Sequence, residues 1–115
     1  MAEYDLWTEL QQKTKQLDYS VRELRNSGTA YAEAEKAYKI RLREYALGMK
    51  ADGMAVGMIT MTCYGIPEVA ELRFKRDVAS TGYEANKEAI NAIKLEMRII
   101  ENQIQREWSA KSSNM

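Results

Sequence analysis

A chain of 115 residues with 17 basic against 17 acidic side chains and no histidine is long enough for one domain with a thin core. Balanced charge excludes a global field that would hold the protein on duplex DNA or an anionic membrane, and the missing histidine removes the commonest general base and metal ligand near neutral pH. One proline, six glycines and no apolar–polar alternation leave little room for a sheet, so the fold class is all-α.

The first arm is predicted over residues 4–50. Trp7, Leu10, Thr14, Leu17, Val21 and Leu24 mark its apolar stripe, with Thr14 the one polar member. Asn26, Ser27 and Gly28 then carry the chemistry of a helix stop. The heptad phase survives them, because Tyr31, Ala34, Tyr38, Leu42, Tyr45 and Met49 continue the stripe that Leu24 leaves. A tight turn has no reason to keep phase, so the sequence favours one helix, kinked or weakened at 26–28, over two helices folded back on each other.

The stretch from Gly53 to Pro67 has no charged residue in a chain that is 30% charged. Met54, Met58 and Met61 recur there at helical spacing beside Tyr64, and the pattern predicts a short crossing helix over 54–64. The second arm is predicted over 67–108. Pro67 is harmless in a first turn, and Glu68 and Glu71 set negative charge beside the positive helix end. Its seam is Val69, Leu72, Ala79, Tyr83, Ile90, Ile93, Met97, Ile100, Ile104 and Trp108, interrupted by Arg76 and Asn86. Residues 109–115 offer nothing to bury and are expected to form a frayed tail.

These elements make one helical domain, a long hairpin with a short crossing helix. Two arms alone leave each helix half wet, so the hairpin is expected to pack as an oligomeric helical bundle. The alternative is a compact three- or four-helix bundle monomer folded at Gly28. Arg76 and Asn86 on the seam would fix register and subunit number at some cost in stability. The single cysteine, Cys63, forms no internal disulfide and fits a reducing compartment. The polar N-terminus does not read as a signal peptide, and no apolar run is long enough to span a membrane.

The inventory argues against an enzyme. Cys63 lies in an apolar stretch with no histidine to activate it, the carboxylates stand at ion-pair spacing on helices, and Gly53, Gly57 and Gly65 do not form a phosphate loop. No catalytic, cofactor or metal residue is assigned. Met54, Met58, Met61 and Tyr64 are the candidate partner-binding surface, since methionine adapts to irregular partners; the plain alternative is a cap over the bundle end. Arg73, Lys75 and Arg76, crowded on one turn around Phe74, with Tyr83 beyond, are the candidate phosphate or nucleic-acid contact. The plain alternative buries Arg76 with a carboxylate on another helix and leaves Arg73 and Lys75 solvated. Lys36, Lys39, Arg41 and Arg43 run beside Tyr31, Tyr38 and Tyr45, where the glutamates dilute the field and the rings read as the edge of a helix interface.

In the segment YAEAEKAY from Tyr31 to Tyr38 behind Gly28, in Gly53 and Gly65, and above all in VAELRFKRDVA from Val69 to Ala79 and EAINAIKLEMRIIENQIQREW from Glu88 to Trp108, the chain resembles small all-helical proteins of phages and prophages of Gram-positive bacteria. The resemblance implies a phage origin and action in the host cytoplasm, some members lying among early genes for recombination and replication, and it carries over no site residues. The expectation is therefore a non-enzymatic phage accessory protein that binds and inhibits or redirects a host or phage protein, anti-defence activity being one form. The rivals are a single-strand-nucleic-acid accessory factor in recombination or replication and a sponge for a nucleotide signal held between subunits by Arg76 and Tyr83.

Overall fold

A computed structural model describes residues 3–113. Three helices follow in order: α1 (Glu3–Ala51), α2 (Val56–Tyr64) and α3 (Pro67–Ser113). No strand occurs among the described residues, and no helix is long and apolar enough to cross a membrane. The helix stop that Asn26, Ser27 and Gly28 could have made is not used. α1 runs through it as one helix, and the reason is steric: a β-carbon at Gly28 would stand 3.2 Å from Cε1 of Tyr83, so glycine serves a close approach rather than a turn.

The true turn comes at Gly53, which among the described residues alone has positive φ, at 88°. The Met54 N–H donates to the Met49 carbonyl at 3.0 Å and the Gly53 N–H to the Lys50 carbonyl at 3.1 Å, the paired bonds of a Schellman cap. α2 therefore starts at Val56, two residues later than the sequence suggested. Gly65 closes α2 in an ordinary right-handed conformation, with its N–H on the Thr62 carbonyl at 3.2 Å, and the Ile66 carbonyl then accepts the first bond of α3 from the Ala70 N–H. The frayed tail expected from residue 109 is helical to Ser113; residues 114 and 115 lie outside the described residues.

By packing the chain divides into two compact units, 1–25 with 85–115, and 26–84, and α1 and α3 pass unbroken through both. In the first unit the start of α1 lies against the end of α3. Leu6, Ile100 and Ile104 form its core with Leu10 beside them, and Ile90 is buried further along. The Asn86 side chain donates to the Glu23 carbonyl at 3.3 Å, so this polar interruption is paired across the helices, and Lys13 makes an ion pair with Glu96. In the second unit α1 and α3 run antiparallel, Arg41 meeting Glu68, Tyr38 meeting Arg76 and Tyr31 meeting Tyr83, with α2 beside α1, and Tyr38, Ile59, Cys63 and Val69 are buried. The hairpin reading holds there in full.

Along the seam Ile90 is buried and Ile93 and Met97 are half-buried within the chain. Two register details also differ. Trp7 and Trp108 are 49% and 57% exposed, because Leu6 and Glu107 hold the inward positions beside them. Thr14 turns to solvent and donates its hydroxyl to the Leu10 carbonyl at 3.0 Å, while Lys13 takes the inward place. A strict alternation of three and four residues, counted from Leu6, passes through Lys13 and not Thr14.

Candidate partner-binding face at the α2 end

α2 is amphipathic by exclusion. Its inward side carries Ile59 and Cys63, both buried, with the Cys63 thiol directed at the Met49 sulfur at 3.6 Å. Met61, 75% exposed, and Met58, 56% exposed, lie on its outward side, while Val56, 75% exposed, stands at the start of the helix in the phase of Cys63. Of the methionines singled out from sequence, Met58 and Met61 stand in solvent, while Met54 is half-buried beyond the Gly53 cap. Tyr64 is 41% exposed and the Arg73 guanidinium lies over its ring at 4.8 Å. α2 thus packs Ile59 and Cys63 inward and leaves Met58 and Met61 in solvent.

A polar clamp fixes the frame on which α2 sits. Arg41 of α1 grips Glu68 in the first turn of α3 through two bonds, Nε to Oε1 at 2.7 Å and Nη2 to Oε2 at 3.0 Å, and holds Glu44 through Nη1 at 2.6 Å. The Tyr45 hydroxyl donates to the same Glu68 Oε2 at 2.8 Å, and the guanidinium lies 4.6 Å from the Tyr45 ring centre. Bonds from Arg41 and then Tyr45 hold the Glu68 carboxyl below the usual carboxylate range. The same contact raises the Tyr45 phenol, and the two carboxylates raise Arg41 further. A planar fork meeting a carboxylate in two bonds sets direction as well as attraction, so the ends of α1 and α3 are held in one register.

Between α1 and α2 opens a cavity of about 380 Å³ lined by Lys39, Leu42, Arg43, Ala46, Ile59, Thr60 and Cys63. Sequence reading placed Lys39 and Arg43 in a diluted basic group and missed this groove. The signal was present in the spacing, since 39, 42, 43 and 46 share one face of a helix.

The residues proposed to meet phosphate are brought onto one stretch of α3, but Arg73, Arg76 and Tyr83 already have partners. Arg76 lies 4.5 Å from the Tyr38 ring centre and bonds Asp77, its own neighbour, at 2.9 and 3.0 Å, which raises its pKa; the carboxylate expected from another helix is not the one it uses. Tyr83 faces Tyr31 at 6.0 Å between ring centres, tilted by 31°, on the seam. Arg76 and Tyr83 are thus each engaged with α1 rather than with one another, and Lys75 with Phe74 stays exposed. Among the described residues no group of three histidine, cysteine or carboxylate side chains is placed to hold a metal ion. No family model, curated protein or solved structure matches this chain.

Proposed function

We infer that the protein is a non-enzymatic binding protein that docks a partner protein on the outward side of α2. The observation that carries this reading is the exposure of Val56, Met58 and Met61 on an uncharged helix whose own frame is tied down by the Arg41–Glu68 clamp. Flexible thioethers on a fixed platform suit an irregular protein surface at low ordering cost to the rest of the chain. The fuller reading is a phage accessory protein acting as an oligomeric bundle in the host cytoplasm, where it inhibits or redirects a host or phage protein, in one form as an anti-defence factor. Its support is the resemblance of the α3 sequence together with this surface.

The nucleic-acid and nucleotide-sponge readings gain less support, since Arg73, Arg76 and Tyr83 already face aromatic rings of the same chain. Capture from host lysate by the wild-type protein and by Met58→Glu/Met61→Glu tests the main reading. A partner held by wild type and lost by the variant, at unchanged helix content, is the expected result. The same captured proteins with both would overturn it.

A further inference from the structure

The cavity between α1 and α2 has no part in the docking proposed above, which uses the outward side of α2. All of its lining residues belong to the second unit, so its walls come from one packed body. The floor is largely apolar and closed from below: Ile59 and Cys63 are buried, and Leu42 and Ala46 are half-buried. The polar groups stand at the rim. Lys39 and Arg43, one turn apart on α1 and both exposed, wall the cavity with their methylene stems and keep their charges in water, and Thr60 of α2 adds a hydroxyl.

This rim is unbalanced. Lys39 has Glu35 as its ion-pair partner at 3.2 Å, whereas Arg43 has none among the described residues. Thr62 returns its hydroxyl to the Met58 carbonyl at 2.8 Å, and Thr60 on the same helix makes no such bond. One guanidinium and one hydroxyl are therefore open to an acceptor from outside the chain, above a floor that favours methylene groups. We propose that the cavity binds a medium-chain aliphatic carboxylate, its head held by Arg43 with Lys39 and Thr60 and its tail laid on Leu42, Ala46, Ile59 and Cys63. The planar fork of arginine meets a carboxylate in charge-assisted bonds, and the tail leaves water along its length. A volume of about 380 Å³ lies near the lower bound of small-molecule sites, roughly 300–1,000 Å³, and sets the ligand's size below that of a long-chain lipid. Among the described residues no aromatic ring and no carboxylate lines the cavity, so a nucleobase finds no stacking surface there and an amine finds no counter-charge. The inference is independent of the Met58 and Met61 surface.

Titration of the protein with decanoate, followed by NMR shifts and by the thermal midpoint, tests it, with decanol as the uncharged control and Lys39→Gln/Arg43→Gln as the variant. Decanoate is expected to shift the signals of Ala46, Ile59 and Thr60, to raise the midpoint, and to bind at least ~10-fold more tightly than decanol. In the variant the affinity for decanoate should fall to the level of decanol at unchanged helix content, since both side chains are exposed and neither holds the fold. Decanoate and decanol bound alike by the wild type, or decanoate bound undiminished by the variant, would overturn the anionic head. Shifts confined to other residues, or none at about 1 mM decanoate, would overturn the site itself.

Discussion

The two units use one spacing and two chemistries. Along α1 the seven-residue stripe reads Leu10, Leu17, Leu24 in the first unit and Tyr31, Tyr38, Tyr45 in the second, and all six are half-buried or buried. Opposite them α3 supplies Ile90, Ile93, Met97, Ile100 and Ile104 in the first unit and Val69, Leu72, Arg76 and Tyr83 in the second. The first unit is held by apolar area, which is strong but indifferent to small slips. The second is held by rings, guanidinium groups and a carboxylate whose contacts work in one geometry only. Periodicity therefore specifies that two helices pair, and side-chain chemistry specifies how they align.

The largest expected effect separates the units by area. Ile100→Ala, in the apolar core of the first unit, should cost about 2–4 kcal/mol in urea unfolding, at the lower end if the thin core collapses onto the gap. Tyr38→Leu keeps most of the buried volume of the second unit and removes the ring under Arg76. It should cost about 1 kcal/mol, read in the same way. An equal loss at both sites would erase the distinction drawn between the units.

Glycines sharpen the comparison within the second unit. Gly53→Ala forces a β-carbon into positive φ and should destabilise by about 1 kcal/mol, whereas Gly48→Ala meets open space in α1 and should stabilise by about 0.5–1 kcal/mol. Gly28→Ala should gain less than Gly48→Ala, because Tyr83 must move to admit the methyl group. Thermal midpoints of the three variants check the order.

How much of this was legible in the sequence follows the same division. Helix class, the two long arms, the short crossing element and most of the seam come from spacing, which is local and dense in the chain. The intrachain closure was not legible, since a stripe says that something covers it and not which chain does so. Trp7 and Trp108 misled because hydrophobicity was weighed above phase, and Leu6 and Glu107 hold the inward places instead. The Arg41–Glu68 clamp joins residues far apart in sequence, and no short-range pattern announces such a pair. At the candidate face, the lack of charge and the methionines were readable, while the groove beside Lys39 and Arg43 needed α2 to be in place.

The smallest expected effect concerns that clamp. Because the Glu68 carboxyl is held below its ordinary value, its contribution to stability is complete above the unfolded glutamate value of about 4.3 and is lost as pH falls through the lower folded value. Glu68→Gln should therefore unfold at lower denaturant than wild type at pH 7, and the gap should narrow as pH falls below the unfolded glutamate value. Tyr45, whose phenol is raised, acts in the opposite range: its contribution is complete below the ordinary tyrosine value of about 10 and is lost as pH rises past it.

The central claim is that α1 and α3 pair with one another along the seam within a single chain. Isotope-filtered NOE spectra on a mixture of labelled and unlabelled protein test it directly. Contacts from Leu6 to Ile100 and Ile104 should arise only within a chain. Leu6 to Ile100 contacts between chains would mean that the seam is shared among subunits, and the account would be wrong.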